Sequence, residues 1–79
     1  DREAWTRAFE PAYAGLRQQL ERGEHTLIDP YAAENPAEFF AVLSENFFET
    51  PDAVQANYPA VYRQLAAFYR QDPLSRGNA

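Results

Sequence analysis

Carboxylates and aromatic rings are crowded together in the stretch DPYAAENPAEFFAVLSENFF, which covers residues 29 to 48. Four carboxylates and five aromatic rings share these twenty positions. Glu38 stands out among them because it directly precedes the apolar pair Phe39-Phe40. A buried carboxylate costs free energy unless a positive or hydrogen-bonding group meets it. The partner of Glu38 therefore decides what this stretch does.

The residues alone allow two interpretations of Glu38. In the structural one, Asn35 caps a helix that begins at Pro36, and Glu38 reaches back to the cap N–H as in a capping box. The positive end of the helix dipole favours a carboxylate at this place as well. In the functional one, a carboxylate that a rigid helix holds in place serves as a metal ligand.

The metal considered in the functional interpretation is zinc. Catalytic zinc sites use three protein ligands, and one known set is two histidines of an H-E-x-x-H helix plus a carboxylate from a later helix. The sequence has no H-E-x-x-H, no cysteine and a single histidine, His25. Any site that needs two imidazoles or a thiolate from this chain is excluded. Glu38 could thus supply at most the third ligand, and His25 is interpreted as a surface or capping residue.

Helices must position these side chains. Apolar residues recur every three or four positions in the first segment, which predicts a helix from about Ala4 to Arg22. Pro11 either kinks this helix or divides it near Glu10, and Gly23 is predicted as a left-handed C-cap. The apolar stripe consists of Trp5, Phe9, Tyr13, Leu16 and Leu20.

Three later helices each begin with a proline. Predicted helices run from Pro36 to about Phe48, from Pro51 to about Ala56, and from Pro59 to about Gln71. The first of these is apolar over more than half of its circumference, so it is predicted to be central and largely enclosed. Residues 24–34 form an irregular connection, and residues 74–79 a flexible tail. The last helix is predicted to bury Val61, Tyr62, Leu65, Phe68 and Tyr69.

The fold predicted for residues 1–79 is therefore all-α, a single helical segment of four or five helices. A chain of 79 residues buries only roughly 60% of its unfolded surface, so it is marginal as an independent domain. It lacks methionine even at position 1, which favours a piece of a longer protein.

Charge and hydropathy exclude two classes of partner. The net charge is −5 and every cation is an arginine, so the basic surface that nucleic acid requires is missing. No apolar run approaches the ~20 residues of a membrane span, and the opening residues do not form a signal peptide. We expect a cytoplasmic protein that binds neither nucleic acid nor membrane.

The stretch from residue 27 to residue 73, and above all the core DPYAAENPAEFFAV, resembles the C-terminal part of the Mlc titration factor A family. This family consists of bacterial zinc-dependent peptidases of the gluzincin type. A shorter pattern, tyrosine followed after six residues by Glu-Phe-Phe-Ala, is similar to part of the catalytic domain of anthrax lethal factor. The resemblance implies a zinc metallopeptidase whose H-E-x-x-H half lies upstream of Asp1.

The resemblance also implies roles for two residues. Glu38 matches the glutamate that completes the zinc site, and Tyr31 matches a tyrosine whose phenol stabilises the oxyanion formed during amide hydrolysis. Val42 departs from the pattern, because the lethal factor sequence has an acid one turn after the glutamate. The alternative for Tyr31 is packing on Phe39-Phe40 with its hydroxyl at the surface.

The resemblance implies three partners: a peptide or protein substrate, the upstream half of the same catalytic domain, and an Mlc-like transcriptional repressor in the regulation of sugar uptake. One carboxylate and one imidazole do not make a three-ligand site, so the isolated segment is predicted to be inactive. The rival hypothesis is a non-catalytic helical interaction module. Twelve aromatic residues among 79 are more than a small core hides, which predicts an exposed aromatic patch.

Overall fold

The computed structural model describes residues 2–76 and confirms the predicted all-α fold. The described part of the chain contains five α-helices and one 3₁₀ turn, and it contains no β-strand. None of the described helices combines the length and the apolar character that crossing a membrane requires. The elements in chain order are α1 (Arg2–Glu21), the 3₁₀ turn (Pro30–Ala33), α2 (Pro36–Glu49), α3 (Pro51–Asn57), α4 (Pro59–Tyr69) and α5 (Pro73–Arg76).

Helix α1 runs without interruption through Pro11, so of the two predicted alternatives, a kink or a division near Glu10, the division is excluded. Pro11 lies on the exposed side of α1, where water can satisfy the carbonyl that loses its N–H partner. Gly23 has the predicted left-handed conformation, with φ of 72°. Its N–H donates to the Leu20 carbonyl at 3.0 Å, and the next N–H, of Glu24, donates to the Gln19 carbonyl at 3.0 Å. These two bonds end the helix as a glycine C-cap does.

Side chains cap two of the elements that begin with proline. Asn35 Oδ1 accepts from the Glu38 N–H at 2.9 Å at the start of α2, as predicted. Asp29 Oδ1 accepts from the Tyr31 N–H at 2.9 Å at the start of the 3₁₀ turn. Thr50 precedes α3 without capping it; its hydroxyl donates back to the Asn46 carbonyl at 3.3 Å. Pro51 occupies the first helical position of α3, where its fixed φ suits the helix.

The core lies between α1, α2, α3 and α4, and aromatic rings occupy much of it. Phe39 is almost fully buried and has three ring neighbours, Phe9, Tyr13 and Tyr58, with centroids 6.1, 5.5 and 6.2 Å away. All three pairs have the edge-to-face geometry that aromatic quadrupoles prefer. The other large side chains that are fully buried are Phe47, Leu16, Leu43, Leu65, Val54 and Val61.

Two phenylalanines are less buried than their helical positions predict. Phe68 on α4 is 58% exposed and Phe48 on α2 is 46% exposed. The predicted buried face of α4 is therefore wrong at Phe68. The exposure of Phe48 likewise shows that other helices do not cover every apolar residue of α2. The reason is the size of the segment: four packed helices cover one side of each helix, and periodicity does not tell which apolar residues fall at the rim.

Residues 73–76 form one helical turn, α5, which the core holds in place. The Tyr62 hydroxyl donates to the Asp72 carboxylate and accepts from the Leu74 N–H at 3.2 Å. Leu74 is half-buried against the core. Residues 77–79 of the predicted flexible tail lie outside the described residues, so the tail over residues 74–79 stays a prediction.

Candidate functional site

The connection between α1 and α2 carries Tyr31, and several contacts fix it to the core. Ile28 and Ala32 are buried. The Thr26 hydroxyl donates to the Ile28 carbonyl at 2.7 Å, and the Tyr13 hydroxyl of α1 donates to the Ala33 carbonyl at 3.2 Å. A segment that sequence periodicity describes as irregular is thus held on both sides of Tyr31.

Tyr31 itself projects from this fixed turn. Its side chain is 54% exposed, whereas its backbone N–H is bound to the Asp29 carboxylate. Among residues 2–76, no aromatic ring stacks on Tyr31 and no group forms a hydrogen bond with its hydroxyl. In the alternative interpretation Tyr31 packs on the Phe39-Phe40 pair. The described residues show no ring contact between Tyr31 and either phenylalanine. The phenol is therefore free to donate to another molecule.

Glu38 lies in the first turn of α2 and is half-buried. Its N–H donates to Asn35 Oδ1, but its carboxylate does not return a bond to the Asn35 N–H. In the part of the chain that the structure describes, this carboxylate has neither a hydrogen-bond donor nor an ion-pair partner. The capping box is thus half formed: Asn35 does the capping, and the Glu38 oxygens are left free at the positive end of a helix dipole.

The two free side chains belong to adjoining elements. The 3₁₀ turn that carries Tyr31 packs against both α2 and α1, so Tyr31 and Glu38 are on elements in direct contact. Only seven positions separate them in sequence. A hydrogen-bond donor and an anionic oxygen donor are thereby carried on neighbouring elements that contact each other.

An acidic depression follows α2 toward its C-terminal end. It encloses about 360 Å³ between α2 and residues 27–29. Three of its lining residues, Val42, Glu45 and Glu49, continue the helical stripe that starts at Glu38, as the 100° rotation per residue predicts. The complete lining is Leu27, Asp29, Val42, Glu45, Asn46 and Glu49.

No complete metal site exists within residues 2–76, because no three His, Asp or Glu side chains there lie close enough to hold an ion. Glu38 fits one place in a zinc site, since its oxygens are suitable donors and no described group occupies them. His25 is exposed in the connection after α1. It belongs to no group of three or more potential metal ligands among the described residues.

Hydrogen bonds inside the core involve polar side chains that sequence reasoning passed over. The Tyr69 hydroxyl donates to Ser44 Oγ at 2.9 Å, and this bond joins α4 to α2. No buried side-chain nitrogen or oxygen of the described residues lacks a hydrogen-bond partner. A serine in the middle of the apolar α2 sequence was the signal that could have indicated such a bond. These polar groups are structural, in contrast to the free groups of Tyr31 and Glu38.

Comparison with known proteins identifies the family of the chain. The profile of the family described as glucose-regulated metallo-peptidase M90 matches residues 1–70. The chain belongs to this family. The resemblance to Mlc titration factor A proteins is confirmed, whereas the more distant resemblance to anthrax lethal factor stays a prediction.

Two M90 relatives show how far the similarity extends. Mlc titration factor A of Edwardsiella ictaluri (strain 93-146) is 45% identical over 75 residues, which cover 92% of this chain and 29% of that protein. Mlc titration factor A of Yersinia pestis (strain Pestoides F) is 57% identical over 53 residues, covering 67% of this chain and 20% of that protein. The chain thus spans less than a third of the length of these relatives.

Proposed function

We propose that this segment completes the active site of a zinc-dependent peptidase of the gluzincin type. In this proposal Glu38 is the third protein ligand of the zinc ion, and Tyr31 donates a hydrogen bond to the oxyanion during hydrolysis of a peptide bond. The two histidines of H-E-x-x-H come from the part of a full-length chain outside residues 1–79. The segment by itself is inactive, because three protein ligands are needed.

The observation that carries the proposal is the free carboxylate of Glu38. The Asn35 cap holds the backbone of Glu38, whereas its half-buried side chain keeps solvent-accessible oxygens that can take a hydrogen bond or a cation. No described residue provides either. A metal ion brought by the rest of the chain is the partner that membership in a metallo-peptidase family supports.

Tyr31 supports the proposal in a second way. Asp29 and Tyr13 fix the 3₁₀ turn, so the phenol starts from a held backbone rather than from a mobile loop. Preorganised donors of this kind stabilise a developing negative charge without reorganisation during the reaction. Tyr31 Oη donates its proton in a hydrogen bond to the substrate oxygen and keeps the oxygen oriented while the amide carbon is attacked.

A bound zinc ion supplies activated water and polarisation of the scissile carbonyl near neutral pH. The chain's own contribution is orientation. Helix α2 fixes the backbone of Glu38 through the Asn35 cap and the buried Phe39, so the side chain extends from a held Cα. Such fixed geometry is what a metal site needs from its supporting residues.

The remaining parts of the proposal concern the whole protein. A peptide or protein is the substrate, and the protein acts in the cytoplasm. The relatives are named for titration of Mlc, and we extend contact with an Mlc-like transcriptional repressor, and thereby a part in regulating sugar uptake, to a full-length chain carrying this segment. No residue is assigned to that contact.

Glu38→Gln in a full-length chain tests the proposal. The amide keeps the size of the side chain but removes its charge. We expect zinc content after dialysis against a chelator to fall well below one ion per molecule. Hydrolysis of a fluorogenic peptide mixture should fall at least about 100-fold, as expected when a transition-state electrostatic group is lost.

Glu45→Gln is the matched control. Glu45 lies two turns further along the same stripe of α2 and is exposed, so its amide variant should keep both zinc and activity. If Glu38→Gln retained zinc and activity as Glu45→Gln does, Glu38 would not be a ligand. The non-catalytic interaction module would then be the better description of this segment.

A further inference from the structure

Three aromatic residues from different helices meet on one side of the segment. Trp5 of α1, Phe40 of α2 and Phe68 of α4 form a triangle with ring centroids 5.5 to 5.7 Å apart. We call this triangle the aromatic face. Phe68 is 58% exposed, and Trp5 and Phe40 are half-buried. The rings are thus held in place by one another while part of their surface remains uncovered.

Two depressions adjoin the aromatic face, and Trp5 lines both of them. The wider one, about 400 Å³, opens between Trp5 and Phe68 and has Arg2 at its edge. The smaller one, about 160 Å³, lies between Trp5 and Pro36 and is lined mainly by apolar atoms. Depressions of this size and character accept apolar side chains, and bare aromatic surface in contact with water costs free energy.

The aromatic face points away from the candidate site. Phe40 follows Glu38 by two positions, which places it about 200° around α2. The structure agrees, since Phe40 contacts rings of α1 and α4, whereas the stripe of Glu38 adjoins residues 27–29. A contact that reaches the Glu38 carboxylate therefore does not also cover the aromatic face.

We propose that the aromatic face is an internal interface, covered by apolar side chains from the part of a full-length M90 chain outside residues 1–79. The length of the relatives supports this occupant, because the chain spans only 29% and 20% of them. The remaining chain then packs on two opposite sides of α2, and this segment is a middle layer of the catalytic domain. The inference rests on the proposed function in placing the segment inside a larger catalytic domain.

Thermal unfolding of a full-length chain tests the interface. Phe68→Ser should lower the Tm by about 10 °C, the effect of truncating a buried phenylalanine in a protein of this size class. Arg63→Ser is the matched control. Arg63 is exposed on the same helix, about 140° away from Phe68. Its Tm should shift by less than about 2 °C.

A labelling measurement decides the question even if Phe68→Ser fails to fold. Phe68→Cys and Arg63→Cys are made separately in the full-length chain, and modification of each new thiol by a maleimide is followed by mass spectrometry. We expect residue 68 to react at least about 100-fold more slowly than residue 63, at every protein concentration.

Two results would overturn the proposal. Equal labelling of both thiols, with equal Tm shifts for the two serine variants, would show that the aromatic face is open in the whole protein. Protection that appears only at high protein concentration would assign the face to a second copy of the chain. Neither result depends on zinc, so failure of the Glu38 test is distinguishable from failure here.

Discussion

Two tyrosines of the core and the two residues of the candidate site differ in whether their polar groups have partners within the segment. In the core, the hydroxyls of Tyr62 and Tyr69 both find partners within the segment. At the candidate site, the Tyr31 hydroxyl and the Glu38 carboxylate find none among residues 2–76. Both regions have firmly held backbones, so flexibility does not explain the contrast.

This contrast is consistent with the proposed division between structural side chains in the core and functional side chains at the site. Three of the four groups are tyrosine hydroxyls, yet two of them bond within the segment and one has no partner among residues 2–76. A polar group on a rigid support that lacks a partner is a candidate for an interaction outside the described residues, and its position decides whether it has one. Substitutions in the two regions should therefore affect different measurements: stability in the core, and metal or activity at the site.

Phe47→Ala should have the largest effect on stability. Phe47 is fully buried and has ring contacts with Tyr62 at 5.1 Å and Tyr69 at 6.0 Å. We expect the free energy of unfolding of a full-length chain to fall by about 3–5 kcal/mol in urea denaturation, because truncation leaves a cavity. The neighbouring variant Phe48→Ala is the control, since Phe48 is 46% exposed in this segment. Equal losses for the two variants would contradict the core described here.

Tyr62→Phe should have an intermediate effect. The variant keeps the buried ring but removes the hydroxyl that joins Asp72 and the Leu74 N–H to α4. We expect a loss of about 1–2 kcal/mol in unfolding free energy. Faster hydrogen exchange at the Leu74 amide should accompany it. Unchanged exchange at Leu74 would mean that this hydroxyl does not hold α5.

The same hydroxyl predicts a pH dependence. Burial, with a smaller contribution from the hydrogen bond to Asp72, raises the pKa of Tyr62 above its usual value. A raised pKa in the folded state means that the stabilisation is complete below the unfolded value of about 10 and is lost at higher pH. The stability difference between wild type and Tyr62→Phe should thus be constant up to about pH 10 and shrink above it. A difference that already shrinks near pH 7 would contradict this assignment.

Local sequence signals were sufficient for much of this fold. Prolines predicted the starts of α2, α3 and α4, and a side-chain cap added to the signal only at α2, because such signals act over three or four residues. The 3₁₀ turn was missed, although Asp29-Pro30 repeats the cap and proline pattern of Asn35-Pro36. It is only four residues long, too short for a helical period to appear.

Local sequence signals did not predict the tertiary contacts. The exposure of Phe68 depends on which helices are present to cover it, and the bond between Tyr69 and Ser44 joins residues 25 positions apart. At the candidate site, helical spacing placed Glu38 on a stripe with Val42. The sequence did not reveal that the Glu38 carboxylate leaves the capping box open, since that depends on side-chain orientation.

Tyr31→Phe should have the smallest effect on stability and therefore sharpens the comparison most. The hydroxyl has no partner among residues 2–76, so its removal should change the unfolding free energy by less than about 0.5 kcal/mol. Zinc content should stay at the wild-type level, because Tyr31 is not proposed as a ligand. In contrast, kcat for peptide hydrolysis should fall about 100-fold with KM nearly unchanged, since the phenol acts on the transition state.

Tyr58→Phe provides the matching control for this last variant. Tyr58 is half-buried at the junction of α3 and α4, and its hydroxyl also lacks a hydrogen-bond partner among the described residues. The two variants thus remove the same atom from two unpartnered tyrosines, of which only one adjoins α2 through the 3₁₀ turn. A lower kcat for Tyr31→Phe alone would show that position, not the mere absence of a partner, gives the phenol its role. Full activity in Tyr31→Phe would leave Tyr31 as an exposed aromatic side chain without a catalytic function.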